Sequence, residues 1–431
     1  MNISLRFYLT FIFLFFALRA EQTQNLTTPQ EVSTQNTITI SENTQTFDFN
    51  ADAPIFKAFP GLQETLAHIT LGTFPTPILK TDKFGIFLKD AFGIDVKNLY
   101  VKQDSLSGRK NTDPAQLFGG NKVRKLEFIL ADALLCGAET IVTVGDAGSN
   151  HALATAIYSK LVGLDCIIML APQLNTSYLQ RNLLMDLYYS PTIKAYFSEA
   201  QRAVDEIKVS REFILAEKQS PYYIPMGGSN EVGAVGFVNA AFELKEQIDQ
   251  KIVPEPDYIY VTLGSAGTAA GFILGCKAAG LKSKIVAVRI SGTPEIKASV
   301  LKKLIKSTNK YLNMFDKNFP IFEITEDDYS INHDFTGTKY AETTKEGALA
   351  IRLLRTFEKI QLDGTYTGKT FAALLFDLIK KPKLQNKNIL FWNTYCSGNF
   401  SDITKDMDYR ELPDLLQGYF RVPVQDLDQG C

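Results

Sequence analysis

From about residue 98 onward, short runs of β-branched and aliphatic residues alternate with longer stretches whose apolar positions recur every three or four residues. Leu99–Gln103 reads as a strand. Over Lys122–Leu135, Val123, Leu126, Ile129, Leu130, Ala133 and Leu134 share one helical face, and Cys136-Gly137 supplies the stop. A strand over Thr140–Val144, a helix over Asn150–Leu161 closed by Gly163, and a strand over Asp165–Leu170 complete one βαβ unit. After Pro254-Glu255-Pro256 the pattern recurs as a strand at Tyr258–Leu263, a helix at Thr268–Ala279 ending at Gly280, and a strand at Lys284–Ile290. Such alternation predicts an α/β protein of two lobes: parallel twisted sheets, helices on both faces, and a ligand crevice at the carboxyl ends of the strands.

The N-terminus departs from this pattern. Arg6 precedes Phe7–Leu18, an uncharged apolar run. It is shorter than the roughly 20 residues of a transmembrane span, so it reads as a secretory signal peptide cut after Ala20, with an uncleaved anchor as the alternative. Export, with no stable membrane insertion after cleavage, is the expected localisation. Residues 21–46 are rich in Gln, Thr, Asn and Ser and read as a disordered linker.

Composition narrows the function. The 431 residues carry 45 Lys+Arg against 47 Asp+Glu, a net charge of −2, which gives no electrostatic case for a nucleic-acid partner. Five cysteines are too few for a disulfide framework and none forms a Cys-x-x-Cys pair. His68, His151 and His333 are not at zinc-ligand spacing, so no metal site is expected.

Four loops carry candidate chemistry. Gly119-Gly120-Asn121-Lys122 allows a tight turn, an N-cap at Asn121, and a lysine in a first helical turn. There the helix dipole favours the neutral amine that attacks an aldehyde to form a Schiff base; the bland reading is a surface lysine. Gly145-Asp146-Ala147-Gly148-Ser149-Asn150-His151 joins a strand to a helix and offers N–H groups, a hydroxyl and an amide, or is simply a well-capped helix start. Gly264-Ser265-Ala266-Gly267-Thr268 suits a phosphate but lacks the Gly-Lys-Ser/Thr of a nucleotide loop and the glycine spacing of a dinucleotide site; a plain βα turn is the alternative. Asp363-Gly364-Thr365-Tyr366-Thr367-Gly368-Lys369 places a tyrosine just before a helix, where it can act as acid or base. An imine-forming lysine, a phosphate cradle and a polar loop facing a ring together specify pyridoxal 5'-phosphate.

The order and wording of these motifs resemble the 1-aminocyclopropane-1-carboxylate deaminase / D-cysteine desulfhydrase family of pyridoxal-phosphate enzymes, with its tryptophan-synthase-β-like (fold type II) architecture. The resemblance runs from Phe74-Pro75-Thr76-Pro77 to Ser397-Gly398 and centres on Phe118-Gly119-Gly120-Asn121-Lys122-Val123-Arg124-Lys125-Leu126-Glu127. Supporting segments are Ser149-Asn150-His151, Asn182-Leu183-Leu184, Pro225-Met226-Gly227-Gly228-Ser229-Asn230, Gly264–Thr268 and Tyr366–Lys369. It implies a larger cofactor-binding domain from 47–121 and 231–431 and a smaller α/β domain from 122–230.

The resemblance also implies roles. Lys122 holds the cofactor covalently, Lys125 lies beside the phosphate, and Gly264, Ser265, Ala266, Gly267 and Thr268 cradle it. Asn150 is near the ring 3-hydroxyl, Ser149 meets the substrate and Tyr366 is the active-site tyrosine. Thr367 stands where the deaminase branch has a glutamate facing the pyridine nitrogen, and Tyr-Thr-Gly-Lys is the desulfhydrase wording. The implied activity is a lyase or deaminating hydrolase on a small amino-acid substrate, foremost α,β-elimination of D-cysteine. 1-Aminocyclopropane-1-carboxylate deamination is the alternative, and a homodimer is implied. Three segments depart from the family pattern: Asp146-Ala147-Gly148 replaces Gly-Ile-Gln, Asn393-Thr394-Tyr395-Cys396-Ser397-Gly398 replaces His-Thr-Gly-Gly, and Asp363-Gly364-Thr365-Tyr366 stands for Asp-Pro-Val-Tyr. The second departure motivates a further alternative, an exported protein that binds an amino acid or cofactor without turnover.

Overall fold

The structure, a computed structural model, describes residues 37–40, 45–49, 51–108, 118–215 and 221–429. The expected signal peptide and most of the expected linker lie outside them. Within the last part of that linker, β1 (Thr37–Ile40) and β2 (Gln45–Asp48) pair as an antiparallel hairpin. The β-branched run Thr-Ile-Thr-Ile favours a strand, and Phe47 and Phe49 bury themselves in the main core, so order begins before residue 46.

Short helices α1 (Pro54–Ala58) and α2 (Pro60–Thr65) lead to β3 (Ile78–Lys80), α3 (Asp82–Phe92) and β4 (Asn98–Gln103). Next come α4 (Lys122–Leu135), β5 (Thr140–Asp146), α5 (Asn150–Leu161), β6 (Asp165–Ala171), α6 (Ser177–Tyr189), β7 (Thr192–Ala195), α7 (Glu199–Leu215) and β8 (Tyr222–Ile224). The chain continues through α8 (Glu231–Asp249), β9 (Tyr258–Leu263), α9 (Gly267–Ala278), β10 (Lys284–Arg289), α10 (Pro294–Phe315), β11 (Tyr329–Asn332), α11 (Lys345–Glu358), α12 (Thr367–Lys380) and β12 (Asn388–Asn393). A six-stranded sheet, ordered β11-β10-β9-β12-β4-β3, is parallel except for the β3–β4 pair. A four-stranded sheet, ordered β7-β6-β5-β8, is parallel throughout.

Both faces of the larger sheet are buried. Ile259, Val261, Leu390 and Trp392 face the main core, and their alternating neighbours Tyr260, Ile389 and Phe391 face a second core under α11 and α12. The larger sheet draws its strands from 78–103 and 258–393, and the smaller from 140–224. Helix α4 packs on α8 as well as on α5. It reaches α8 closely because Gly236 has no side chain: a Cβ there would sit 2.1 Å from the Arg124 carbonyl.

Beneath the start of α4 lies a buried charge network. Arg124 donates to Asp104 (Nη2–Oδ1 2.8 Å) and to Glu243 (Nη1–Oε2 2.8 Å). Lys102 pairs with Glu243 and donates to Gln247 Oε1 at 2.6 Å, and Trp392 Nε1 donates to Asp104 at 2.7 Å. Two cations meet two carboxylates, and all four are at most 3% exposed, so the network survives only as a matched set. Burial alone would raise the Glu243 carboxyl; Arg124 and Lys102 overcome it and hold it at about 2.

Arg124→Met, which strands two buried carboxylates, is expected to destabilise the fold by about 3–5 kcal/mol. Urea denaturation measures this. Because Glu243 is depressed from 4.5 to about 2, its share of stability is complete above about pH 4.5 and fades as pH falls toward 2. Glu243→Gln should flatten that part of the acid denaturation profile.

Candidate active site

The loop before α4 is pinned from below. Gly120 N–H donates to the Asp104 carbonyl (2.8 Å) and Asn121 N–H to the Thr394 carbonyl (3.1 Å). Gly120 has φ +92°, and a Cβ there would lie 2.9 Å from Thr394 O, so glycine is required. Asn121 does not act as the expected cap. Its backbone is already helical, and its side-chain amide instead donates to Thr268 Oγ1 at 2.9 Å, tying α4 to the loop after β9.

Lys122 is the first residue of α4. Burial pushes its amine down to about 8. Among the described residues no hydrogen bond or ion pair reaches its Nζ. It is thus a nucleophile with a substantial neutral fraction at ordinary pH.

One turn on, Lys125 is fully buried and donates to the Gly227 carbonyl at 2.9 Å, with Ser229 Oγ at 3.5 Å. Burial, and then the charge of Lys122, lower its amine well below the usual lysine range. The loop Gly264–Thr268 closes over it. Ala266 adopts φ +80°, a strained turn for a residue with a side chain, and α9 begins without a side-chain cap. Ser265 and Ser229 share a hydroxyl–hydroxyl bond of 2.7 Å, and Gly267 N–H donates to Ser229 at 3.1 Å. A Cβ at Gly267 would lie 2.6 Å from both Lys125 Nζ and Ser229 Oγ. Glycine therefore keeps open a space bounded by an amine, two hydroxyls and a helix N-terminus, a setting made for a phosphate. His151 lies behind it, within 3.1 Å of where a Gly228 Cβ would be; both its ring nitrogens are buried without a partner among the described residues. Burial, Lys122 and Lys125 keep that ring neutral.

From the smaller sheet, Ser149 caps α5, accepting from Ala152 N–H at 3.1 Å, which leaves its hydroxyl proton to donate. Asn150 Oδ1 accepts from Asn182 Nδ2 (2.9 Å), which leaves the Asn150 amide N–H group to donate. Asn182 is held in turn by Arg181 Nη2 (2.9 Å), which reaches the Tyr395 hydroxyl through Nη1 at 3.2 Å. Cys396 Sγ accepts from Gly119 N–H at 3.2 Å. The divergent 393–398 loop is therefore built into the site through three of its residues.

Tyr366 lies against the phosphate loop, with Cε1 3.5 Å from where a Gly264 Cβ would be, and its hydroxyl bonds that of Tyr340. Burial raises both phenols, so they are neutral donors. Thr367 is fully buried; it donates to Asp363 Oδ1 (2.6 Å) and accepts from Asp363 N–H (2.9 Å). With its one proton committed to Asp363, Thr367 offers a ring nitrogen a lone pair at most.

The structure thus gathers Lys122, Lys125, Ser265, Ala266, Gly267 and Thr268 around one cradle, with Tyr366 against Gly264; Ser149 and Asn150 enter from the smaller sheet. Sequence reasoning missed Tyr340, which follows no motif, and gave no role to Ser229 or His151, although both sit in quoted segments. An amine able to form an imine, a cradle of an amine, two hydroxyls and a helix N-terminus, and an amide donor fit pyridoxal phosphate. Lys122 would hold its aldehyde carbon, Lys125, Ser229, Ser265 and α9 its phosphate, and Asn150 its ring oxygen.

Comparison with known proteins agrees. The family described as "Pyridoxal-phosphate dependent enzyme" matches residues 69–394. A Pyrococcus abyssi protein provisionally named 1-aminocyclopropane-1-carboxylate deaminase is 33% identical over 330 residues, covering 76% of this chain and 91% of its own. D-cysteine desulfhydrase of Klebsiella pneumoniae is 32% identical over 327 residues, covering 74% and 91%. The crystal structure of a 1-aminocyclopropane-1-carboxylate deaminase homologue superposes with a TM-score of 0.64 at 28% identity, covering 85% of this chain and 99% of that one. An L-serine ammonia-lyase from Rhizomucor miehei, 18% identical with a TM-score of 0.51 over 81% and 98% of the chains, shares the fold alone. With the site's geometry, these matches place the chain in the 1-aminocyclopropane-1-carboxylate deaminase / D-cysteine desulfhydrase family of fold type II, pyridoxal-phosphate-dependent enzymes.

Proposed function

We propose that the chain is a lyase that carries out α,β-elimination on D-cysteine or a related β-substituted amino acid. The observation that carries this reading is the Lys122 amine, lowered to about 8 by burial, set in one site with the phosphate cradle and the Tyr340–Tyr366 pair. When bound, pyridoxal phosphate supplies an electron-accepting ring at the substrate's α-carbon. The protein's own groups do the rest. The Ser149 hydroxyl proton meets the substrate carboxylate. Lys122 takes the Cα proton on Nζ. Tyr366, held neutral by burial, gives a proton to the departing sulfur, and Tyr340 stands behind it. The net conversion is D-cysteine plus water to pyruvate, ammonia and hydrogen sulfide.

Deamination of 1-aminocyclopropane-1-carboxylate is the second reading, favoured by the names of the Pyrococcus relatives. Parallel assays separate the two: sulfide and pyruvate from D-cysteine support the first, 2-oxobutanoate from the cyclopropane substrate the second. Turnover of neither, with the cofactor bound, overturns both. Binding without turnover has no support here, since lysine, cradle and tyrosines are all present. Export and a homodimer belong to this proposal on the strength of the N-terminal residues and the family resemblance; sizing of the mature protein tests the latter.

Three outcomes are expected. Lys122→Ala should abolish the imine absorbance of the holoprotein and the pyridoxyl-modified peptide after borohydride, while the phosphate cradle still binds the cofactor reversibly. Imine formation by apoprotein with added cofactor, which needs the neutral amine, should rise with pH and level off above about 8, where an ordinary lysine at 10.5 would still be gaining. Gly267→Ala should weaken cofactor affinity about tenfold by pushing Lys125 and Ser229 out of place, as read by absorbance titration.

A further inference from the structure

Arg181, on α6, carries a guanidinium that no carboxylate pairs with among the described residues; its hydrogen bonds go to Asn182 and Tyr395. Three aromatic rings lie against it instead. Its central carbon is 5.9 Å from the Phe118 ring centroid, 5.7 Å from Tyr395 and 5.6 Å from Phe400. Such rings stabilise a cation without neutralising it. Phe118 directly precedes the Gly119–Lys122 turn, and Tyr395 belongs to the divergent 393–398 loop, whose Cys396 Sγ accepts from Gly119 N–H. Nη1 of Arg181 donates to the Tyr395 hydroxyl at 3.2 Å. Burial raises that phenol, so it stays neutral and takes the guanidinium hydrogen on its oxygen. Tyr395 is itself set by its N–H, which donates to Asn393 Oδ1 at 3.2 Å.

A guanidinium can only donate. Nε and Nη2 of Arg181 both donate to Asn182 Oδ1, at 3.2 and 2.9 Å. Asn182 must then turn its amide nitrogen the other way. The two Nδ2 hydrogens go to the Gly148 carbonyl at 3.0 Å and to Asn150 Oδ1 at 2.9 Å. Asn182 is fully buried and both of its side-chain hydrogens are used, so a flip of its amide would forfeit all of these bonds and set N–H against N–H at Arg181. Asn150, with Oδ1 taken by Asn182, has its N–H groups to give, and among the described residues no acceptor takes them. The donors therefore run from Arg181 to Asn182 to Asn150. Donor-only chemistry at the first member fixes donor character at the last, and each bond in such a chain strengthens the next.

We propose that Arg181, steered by Tyr395, is a positioning residue: it sets the direction of the Asn182–Asn150 amide chain so that Asn150 donates to the ring oxygen of pyridoxal phosphate. This rests on the cofactor reading of the site, in which Asn150 holds that oxygen. A donor there favours the ionised ring oxygen, whose hydrogen bond is charge-assisted. The positive charge of Arg181 adds to that preference through the chain rather than by contact. The divergent loop thereby has a task, because Tyr395 supplies the hydroxyl that holds the guanidinium in place.

The test titrates two ligands, pyridoxal phosphate and its analogue lacking the 3-hydroxyl, into the full chain and into its Arg181→Met, Arg181→Lys and Tyr395→Phe variants. Absorbance reads the dissociation constants. Arg181→Met should weaken pyridoxal phosphate about tenfold and the analogue by less than about twofold, so that the preference for the ring oxygen falls at least about fivefold. Arg181→Lys keeps a donor-only cation and should recover most of that preference. Tyr395→Phe should lower the same preference about threefold, and it carries the comparison by itself where Arg181→Met does not fold. Equal losses for both ligands, or no loss for either, would show packing alone and would overturn the proposal. Absence of imine absorbance in wild type with pyridoxal phosphate is a different failure: it would overturn the cofactor reading and this inference with it. An intact imine band with an unmoved preference would overturn the role of Arg181 alone.

Discussion

The arrangement of this protein depends on the buried pairing of Arg124 with Asp104 and Glu243. Arg124 sits in the first turn of α4, two residues after Lys122; Asp104 follows β4; Glu243 is on α8. One guanidinium therefore fixes the helix that carries the nucleophile to two separate segments, the end of β4 and α8. Asp104 acts twice, since its carboxylate takes Arg124 and Trp392 while its carbonyl holds Gly120 N–H. The charges balance within the cluster, so no residual anion is left to draw a proton onto Lys122. A well-packed apolar set could give as much stability; it could not give the bidentate geometry that sets the direction of α4.

Helix α8 carries this positional control to the cofactor's other end. Gly236 lets it approach α4, and at Gly271 of α9 a Cβ would sit 2.1 Å from the Ala234 carbonyl of α8. The two helices whose N-termini form the site thus both rest, almost backbone to backbone, on one 19-residue helix. Small residues at these contacts leave little freedom for α4 and α9 to move apart. Lys122 and the Gly264–Thr268 loop keep a fixed separation, which a cofactor joined at its aldehyde and gripped at its phosphate requires.

Much of this was legible in the sequence, for identifiable reasons. Lys122–Leu135, Asn150–Leu161 and Tyr258–Leu263 form where the periodicity places them, because a buried helix face or strand leaves its period in the residues. The Gly119–Lys122 and Gly264–Thr268 loops were legible because backbone crowding there demands small residues. Contacts between distant segments that follow no motif left no such trace. Tyr340 lies in an irregular segment and meets Tyr366 through tertiary packing alone. Asn121 reads locally as a cap, and only the approach of Thr268 diverts its amide. The hairpin at 37–48 was hidden because a polar composition suggests disorder, while two buried phenylalanines at its end decide otherwise.

The electrostatics of the site explain why these pieces call for an anionic cofactor. Lys122, Lys125 and His151 converge in a buried region, and each is shifted toward its neutral form, first by burial; Lys122 acts further on the other two, and Lys125 on His151. The carboxylates that could relieve them, Asp104 and Glu243, are already committed to Arg124 and Lys102. Asp363 is tied into its own turn by Thr365, Tyr366 and Thr367. Among the described residues the buried Lys125 amine has only the Gly227 carbonyl at 2.9 Å and the Ser229 hydroxyl at 3.5 Å. A phosphate dianion bound in the cradle would reverse the sign of that environment, favouring the charged form of Lys125 and giving the N-terminus of α9 an acceptor. Phosphate binding therefore adds to fold stability as mass action requires of any ligand specific for the native state. Lys122, one turn away, would instead hold the cofactor's aldehyde carbon covalently.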